Sequence, residues 1–421
     1  MTRPSLPEGL RFLAPEEAAE RAAAIDALRA LYRSWGYARV EVPALERLEP
    51  DHPRASKAFK LVDVGGGVLA LRSDFTPALA RLVRAAYPAV AAGAERPLRL
   101  SYDGLVWHAI DPELARGREF TQVGIELVGV SSARADAELI HLARESVRAL
   151  GLTPRVEVGN PAYVTALFDA AGVADGARAS LADAIDRKDQ SAVAALVAGH
   201  RLRGAAADAI LAVPDLYGGP EVLDEALARA PTAAAGQALE RLAGVLDEFE
   251  DMGDLMLDLG MARRLSYYTG VTFRAYTFDF GQPLLGGGRY DGSLLPRAAG
   301  FALGLGRVLA AVASAREQEG PAEGRGGHGT GGARRAGDDP LVASLDDPGA
   351  RVLRAAGVRV VRAIAADPDA ARAEAVTLGA DFMLAPPGAG GSPAERLVAL
   401  RDDVDPAAGE RLRQVLAGAR A

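Results

Sequence analysis

Residues 116–126 read Arg116-Gly-Arg-Glu-Phe-Thr-Gln-Val-Gly-Ile-Glu126, a segment in which polar and apolar residues alternate. A period of two is typical of a β-strand and places Gln122, Gly124 and Glu126 on one face. An amide and a carboxylate on that face are suited to pairing an ammonium group or an imidazole. The solvent-facing side of an amphipathic strand has the same pattern, and for this segment alone that second interpretation is the stronger one.

Four further segments carry polar residues or glycines where a plain sheet would be apolar. Upstream, Leu71-Arg-Ser-Asp-Phe-Thr-Pro77 brings Asp74 and Thr76 to the entry of a predicted helix. Downstream lie Arg263-Arg-Leu-Ser-Tyr-Tyr-Thr-Gly270, Gly286-Gly-Gly-Arg-Tyr-Asp-Gly292 and Gly300-Phe-Ala-Leu-Gly-Leu-Gly-Arg307. Taken singly, a triple glycine is typical of a hairpin turn and a tyrosine pair of core packing. The conjunction of these segments, in this order, favours a functional site.

Composition limits the chemistry that the chain can perform. Its 421 residues predict two or three domains at roughly 150 residues each. The chain has no cysteine, which excludes disulfides, thiolate metal sites and a cysteine nucleophile. Its five histidines fall in no metal-ligand spacing, so we expect neither a metal nor a cofactor. The net charge of −8 argues weakly against a dedicated nucleic-acid binder.

The sequence contains no predicted membrane segment. Apolar stretches are broken well before the ~18 residues that a membrane span needs, and the first residues lack the apolar core of a signal peptide. A cytoplasmic location is therefore expected.

Periodicity along the chain predicts four regions. Strand patterns occur at 39–42, 68–72, 98–108, 119–130, 155–158 and 271–280, and helical patterns at 15–36, 77–86 and 136–150. Residues 161–250 carry almost only helical signals and are predicted to be a helical insertion. Residues 320–341 are predicted to be a glycine-rich flexible linker. This leaves a body of residues 1–160 and 251–319, and a small C-terminal α/β module at 342–421.

The ordered segments resemble those of the histidyl-tRNA synthetase family, a branch of the class II aminoacyl-tRNA synthetases, over roughly residues 5–312. The matching segments are the entry helix ending at Trp35-Gly-Tyr37, Leu71–Pro77, the motif-2-like Arg116–Gly129, the histidine-signature-like Arg263–Gly270, Gly286–Gly292 and the motif-3-like Gly300–Arg307. The resemblance implies an α+β fold with a class II synthetase-like antiparallel sheet flanked by helices. It also implies a helical insertion and self-association as a dimer.

The same resemblance implies a histidine-binding pocket. Its residues would be Asp74, Thr76, Gln122, Glu126, Arg263, Tyr267, Tyr268 and Tyr290. Acids and amides suit the α-ammonium and imidazole of histidine, and arginine suits its carboxylate. Two positions depart from the family. Asp74 is shorter than the usual glutamate and Ser266 replaces the usual aspartate, which would loosen amino-acid binding or alter its geometry.

The nucleotide side of the site departs further from the synthetase pattern. His108 stands where an arginine should clamp the α-phosphate of ATP, Ile110 replaces an acid, and Gly306 replaces the acid before Arg307. Arg116 and Arg307 remain as possible anion-binding residues. Removing one group that stabilises charge in a transition state typically costs ~2.7–4 kcal/mol. We therefore expect adenylation to be lost.

The tail is a poor surface for RNA. Residues 342–421 hold ten arginines, no lysine and eleven acids, and their only aromatic is Phe382. Binding to unpaired bases needs cations and exposed aromatics, so tRNA is not an expected partner.

These features together resemble the regulatory subunits of ATP phosphoribosyltransferase, a family of synthetase paralogues in histidine biosynthesis. The resemblance implies a non-catalytic subunit that joins a short-form catalytic subunit in a hetero-octamer and mediates feedback control by histidine. Asp186-Arg-Lys-Asp189 also suits this group, although such a charge run is more typical of a solvated helix face. Two alternatives stay open, namely a divergent active histidyl-tRNA synthetase and a stand-alone histidine-sensing paralogue.

Overall fold

The computed structural model describes residues 6–47, 58–109, 117–261, 268–319, 340–365, 367–387, 391–401, 404 and 406–418. The helices are α1 (Pro15–Ser34), α2 (Thr76–Ala86), α3 (Pro88–Ala91), α4 (Ala133–Ala149), α5 (Pro161–Ala170), α6 (Asp175–Asp186), α7 (Gln190–Gly199), α8 (Ala205–Ala212), α9 (Glu221–Ala228), α10 (Ala233–Leu246), α11 (Leu305–Glu319), α12 (Asp347–Ala355), α13 (Pro368–Thr377) and α14 (Pro406–Gly418). The strands are β1 (Ala38–Arg39), β2 (Leu45–Arg47), β3 (Lys60–Val62), β4 (Val68–Leu71), β5 (Leu98–Trp107), β6 (Glu119–Val128), β7 (Pro154–Gly159), β8 (Tyr217–Gly218), β9 (Leu255–Asp258), β10 (Thr272–Thr277), β11 (Phe280–Arg289), β12 (Ala298–Gly304), β13 (Leu341–Ser344), β14 (Arg359–Arg362), β15 (Phe382–Leu384) and β16 (Leu397–Ala399).

The largest sheet has nine strands in the order β1-β5-β6-β12-β11-β10-β7-β9-β8. Its central run from β6 to β7 is antiparallel, as predicted. Two pairs, β1 with β5 and β7 with β9, are parallel, so the sheet as a whole is mixed. The predicted α+β fold with a helix-flanked sheet is confirmed.

The helices α2 and α4 place the parts of the site that lie outside the strands. Pro77 lies in the first turn of α2, where a proline needs no amide partner, and Leu79 and Val83 bury one face of that helix. Ser132 caps α4 by accepting a hydrogen bond from the Ala135 amide at 3.1 Å. Apolar residues on one side of α4, such as Leu139 and Leu142, are almost fully buried.

Two strand predictions need correction. The segment 271–280 is not one strand but β10, a turn and the first residue of β11. Of the segment 39–42, only Arg39 pairs with β5, next to the pairing of Ala38. Its alternating Val40 and Val42 instead pack against the apolar cluster around Phe75, which produces the same period without strand pairing.

The triple glycine Gly286–Gly288 is not a hairpin turn. It lies inside β11, paired on one side with β10 and on the other with β12. A Cβ atom at Gly287 would lie 2.4 Å from the Gly300 carbonyl oxygen and 2.4 Å from the Phe301 Cβ. Glycine is therefore required by close packing between strands.

The chain divides into two compact units. One comprises residues 1–25, 40–98 and 102–315, and the other residues 26–39, 99–101 and 316–421. The second unit contains the predicted α/β module, a four-stranded sheet in the order β14-β13-β15-β16. Its core includes Val342, Leu353 and Phe382. The predicted linker falls almost entirely outside the described residues, and the region boundaries proposed from sequence stay predictions.

Within the described ranges, no helix combines the length and apolar character needed to cross a bilayer. Among the same residues, no group of three or more His, Asp or Glu side chains is arranged to hold a metal ion.

Candidate functional site

A groove floored by very small residues crosses one face of the nine-stranded sheet. The strand register brings six residues with no side chain beyond a methyl to this face: Gly124 of β6, Gly286 and Gly288 of β11, and Gly300, Ala302 and Gly304 of β12. A Cβ atom added at Gly304 would meet nothing within 4 Å, so the groove is open there. Gln122 and Glu126 of β6 border one side, and Arg274 of β10 borders the other.

Glu126 is the most strongly constrained side chain in the groove. It is 2% exposed, and both of its carboxyl oxygens are engaged. The Thr76 hydroxyl donates to Glu126 Oε1 at 2.8 Å, and the Tyr290 hydroxyl donates to Oε2 at 2.7 Å. Gly300 makes room for this arrangement, since a Cβ there would lie 2.0 Å from Glu126 Oε2.

Burial raises the pKa of the Glu126 carboxyl to about 7, because the low-dielectric interior disfavours its charged form. The hydrogen bonds from Tyr290 and Thr76 oppose this shift, and the negative charge of Asp74 adds to it. A carboxyl that titrates near neutrality can accept a hydrogen bond when ionised or donate one when protonated. Such a group suits a ligand bearing an ammonium or an imidazole.

Asp74 and Thr76 reach the site from the entry to α2, as the sequence predicted. Both are buried, and Asp74 Oδ1 accepts from the Thr76 amide at 3.4 Å. Thr76 is the first residue of α2 rather than part of the extended stretch. Its hydroxyl is thereby directed at Glu126 from a rigid element.

Tyr290 is held in place by a network that sequence reasoning missed. The neighbouring Arg289 is buried, and its Nε donates to Asp136 Oδ1 at 2.7 Å, while its Nη1 donates to Asp291 Oδ1 at 2.9 Å. Asp291 Oδ2 also accepts from the Ser131 hydroxyl at 2.7 Å. The segment that presents Tyr290 is therefore fixed on both sides. The acid in the first turn of α4 gave no local signal of this role.

Tyr102 is a second residue that the sequence did not mark. It is 2% exposed, and its ring stacks on Phe75 with centroids 4.4 Å apart. Its hydroxyl lies over Gly124 on the groove face, where a Cβ would be only 2.5 Å away. Alternation along β5 predicted a strand. An aromatic residue on a strand is as typical of core packing as of a binding site, so the sequence did not indicate this role.

The structure brings four predicted residues together, namely Asp74, Thr76, Glu126 and Tyr290. Gln122 lies on the same face of β6 and is half-buried, and Tyr268 is also half-buried. Three predicted residues, Arg116, Arg263 and Tyr267, lie outside the described residues, so their roles stay predictions.

On the predicted nucleotide side, two residues contact other residues of the protein. The His108 ring lies with Nε2 3.1 Å from the Ser73 carbonyl oxygen and packs edge-on against Phe120. Arg307 donates through Nη1 to the Pro283 carbonyl oxygen. Gly306, beside it, is exposed in the first turn of α11, and Ile110 lies outside the described residues.

The helix-flanked sheet is that of a class II synthetase-like protein of the histidyl type. The sequence model of the histidyl-tRNA synthetase family matches residues 9–308. A solved structure from Bacillus halodurans, described as an ATP phosphoribosyltransferase regulatory subunit/histidyl-tRNA synthetase, aligns with a TM-score of 0.65 and 26% identity. The alignment covers 91% of this chain and 97% of that one.

Two curated relatives indicate which family within this class the chain belongs to. The ATP phosphoribosyltransferase regulatory subunit of Thermus thermophilus is 48% identical over 317 residues, which cover 75% of this chain and 86% of the relative. The protein of the same name from Deinococcus radiodurans is 45% identical over 312 residues, with 73% and 75% covered. The chain belongs to the family of ATP phosphoribosyltransferase regulatory subunits.

Proposed function

We propose that this chain binds free histidine in the groove around Glu126 and, as a non-catalytic subunit, conveys that binding to an ATP phosphoribosyltransferase. The observation that carries the proposal is the buried Glu126 carboxyl held between Thr76 and Tyr290. A buried carboxyl fixed by two hydroxyl donors is preorganised for a small polar ligand. Asp74 adds negative charge beside it, which favours a ligand with a cationic group.

Each charged or polar group of histidine has a proposed partner in the protein. The acids Asp74 and Glu126, with the amide of Gln122, suit its α-ammonium and imidazole groups. Arg263 is assigned to its carboxylate, and Tyr267 and Tyr268 to its surroundings, by resemblance to the synthetases. The glycine floor supports this choice, because it admits a ligand close to the sheet backbone.

We further propose that the site no longer activates amino acids. His108 replaces a clamping arginine, and its ring is turned to the Ser73 carbonyl. Imidazole is a poor substitute for a bidentate guanidinium that is always charged. Arg116 and Arg307 are left as the candidate anion-binding residues, and Arg307 already donates to the Pro283 carbonyl.

The proposed partner is a short-form catalytic subunit of ATP phosphoribosyltransferase in a cytoplasmic hetero-octamer, in which this chain self-associates as a dimer. The regulatory-subunit relatives support the partner. Histidine would then bind one conformation of the complex better than another, with a typical coupling energy of ~1–3 kcal/mol. This coupling is the feedback control proposed for the first step of histidine biosynthesis.

Calorimetric titration of histidine tests the pocket. Glu126→Ala should weaken binding about five- to 150-fold, because it removes the carboxyl proposed to pair a cationic group of histidine, a loss of about 1–3 kcal/mol. Glu225→Ala, on the exposed side of α9, is the matched control and should bind like the wild type. Equal affinity in the wild type and Glu126→Ala would show that the pocket is misassigned.

Two assays of the purified chain separate a regulatory subunit from an enzyme. We expect no histidine-dependent ATP–pyrophosphate exchange, and we expect added chain to raise the turnover of a short-form catalytic subunit. Exchange activity would establish a divergent synthetase instead. Failure to bind or stimulate the catalytic subunit would leave a stand-alone histidine-binding protein.

A further inference from the structure

The charged turn between α6 and α7 is exposed at Arg187, Lys188 and Asp189, but two of its side chains also form ion pairs with the main sheet. Asp186 Oδ1 accepts from Arg274 Nη2 at 3.0 Å, and Arg274 lies on the groove face of β10. Lys188 Nζ donates to Asp258 Oδ1 at 2.9 Å and lies 4.5 Å from the ring centroid of Tyr217. The turn of the helical insertion is therefore joined by ion pairs to two strands of the main sheet.

The backbone at Lys188 adds a second observation. Its φ is +55°, and the amides of Lys188 and Asp189 close the end of α6 on the carbonyls of Ile185 and Ala184. This is the position after a helix where glycine is preferred, because a Cβ disfavours the left-handed conformation. Arg201 at the end of α7 has a similar backbone, with φ +54°, so it is the ion pair with Asp258 that distinguishes Lys188.

The partner of Lys188 controls the path of the chain beyond β9. Asp258 is the last residue of β9, and its Oδ1 also accepts from the Gly260 amide at 3.0 Å. Helix α6 lies against the same point, since a Cβ at Gly260 would be 3.3 Å from the Ile185 side chain. The sequence then continues from Met261 to Arg263 within two residues.

We propose that Lys188 is a positioning residue that links the helical insertion to the ligand site. By holding Asp258, it fixes residues 258–261, including Met261, whose Cβ would lie 3.1 Å from a Cβ at Gly159. Gly159 is in register with Thr272 and Gly288, so Met261 lies on the groove face of the sheet. The insertion is then a part of the binding site's support, through which a partner seated on the insertion would change ligand affinity. The expected change in histidine affinity rests on the proposed histidine pocket. The positioning of residues 258–261 rests on the described contacts alone.

Calorimetry of histidine binding to the full chain tests the functional consequence. Lys188→Met removes the ammonium at nearly constant length, and we expect an affinity loss of about three- to thirtyfold. Asp258→Asn should cause a similar loss, and the double variant should be no weaker than either single one. Lys188→Arg should restore most of the affinity. Losses that add in the double variant would show that Lys188 does not act through Asp258.

Lys188→Gly separates positioning from general stability. Glycine relieves the backbone at φ +55°, so its thermal midpoint should hold or rise while histidine affinity falls. Arg201→Gly is the matched control, because Arg201 is exposed and has the same left-handed backbone, with φ +54°, at the end of α7. It should gain stability with no change in affinity. An affinity loss in Arg201→Gly as well would overturn the proposal.

Hydrogen exchange by mass spectrometry decides the structural claim independently of histidine. Amides of residues 255–261 should exchange faster in Lys188→Met and Lys188→Gly than in the wild type and in Arg201→Gly. Unchanged exchange in both Lys188 variants would refute the positioning role. Unchanged histidine affinity in Glu126→Ala would instead refute the pocket, and the exchange result would still stand.

Discussion

Glu126 makes the stability of the protein depend on pH at a single residue. Its carboxyl has a pKa of about 7 in the folded chain against the ordinary value of 4.5, so between these values the folded state holds a proton that the unfolded state has lost. Stability from this group is therefore complete below about pH 4.5 and is lost as the pH rises through 7. Glu126→Gln cannot titrate. We therefore compare the unfolding free energy of the wild type with that of the variant. The wild-type value minus the variant value should fall by up to about 3 kcal/mol between pH 4.5 and 7.5.

Urea unfolding of both proteins at several pH values measures this difference. A difference that stays constant with pH would contradict the raised pKa, and one that grows with pH would mean that the folded protein stabilises the charged carboxylate.

Gly300 tests the packing beside that carboxyl. Gly300→Ala places a methyl group 2.0 Å from the position of Glu126 Oε2, so the carboxyl must move away from Thr76 and Tyr290. We expect a loss of about 1–3 kcal/mol in unfolding free energy, as for other overpacked sites. Gly304→Ala, on the same face of β12 but in open space, should change stability by less than about 0.5 kcal/mol. Equal effects of the two substitutions in urea unfolding would show that the close contact is not formed.

At the scale of elements, the pairing of α4 with the end of β11 holds the Tyr290 segment. Asp136 and Arg289 are both nearly inaccessible, and the ion pair joins residues 153 positions apart. Removing the Asp136 charge leaves the buried Arg289 with the partly exposed Asp291 as its remaining carboxylate partner. Asp136→Asn should therefore cost about 3–5 kcal/mol, and histidine binding should weaken with it.

The matched control is an exposed pair on one helix, Glu225 with Arg229. Glu225→Gln should change stability by less than about 1 kcal/mol, because solvent screens that pair. Thermal and urea unfolding of both variants provide the comparison. A cost of Asp136→Asn no larger than that of Glu225→Gln would refute the anchoring role.

The local sequence pattern predicted many of the helices and strands correctly, and the predictions that were wrong have physical causes. Period-two alternation identified β6 together with the shared face of Gln122 and Glu126. It was wrong for Val40 and Val42, whose alternation reflects packing on the Phe75 cluster. Glycine signals a turn and a close strand approach equally, so the position of Gly287 inside β11 was not predictable from sequence alone.

In the candidate site, too, some residues were predicted from the sequence and others were not. Asp74, Thr76, Glu126 and Tyr290 were predicted from ordered motifs, and the structure brings them together. Asp136 was missed because its partner Arg289 is distant in sequence and local periodicity contains no information on long-range ion pairs. The role of Lys188 was hidden for the same reason, since Asp258 lies 70 residues away.

At the scale of the whole molecule, two of the arginines and the single aromatic of the C-terminal module are used internally, while others such as Arg351, Arg372 and Arg401 are exposed. Arg396 pairs with Asp346 at 2.7 Å and Arg362 with Asp347 at 2.8 Å, and both arginines are buried. The module's single aromatic, Phe382, is 2% exposed within its core. Residues that a nucleic acid needs, namely exposed cations and stacking rings, are thus reduced further than the composition alone indicated.

The resulting prediction concerns tRNA. Filter binding at 150 mM salt should give this chain a dissociation constant for histidine tRNA in the non-specific range of about 10⁻⁴–10⁻⁶ M, equal to that for an unrelated tRNA. A histidyl-tRNA synthetase assayed in parallel is the positive control. Submicromolar binding that discriminates between the two tRNAs would contradict the prediction, and it would require a surface built by residues other than Phe382 and the paired arginines. Because non-specific binding to a nucleic acid is essentially electrostatic, this affinity should also fall for both tRNAs alike as the salt concentration rises.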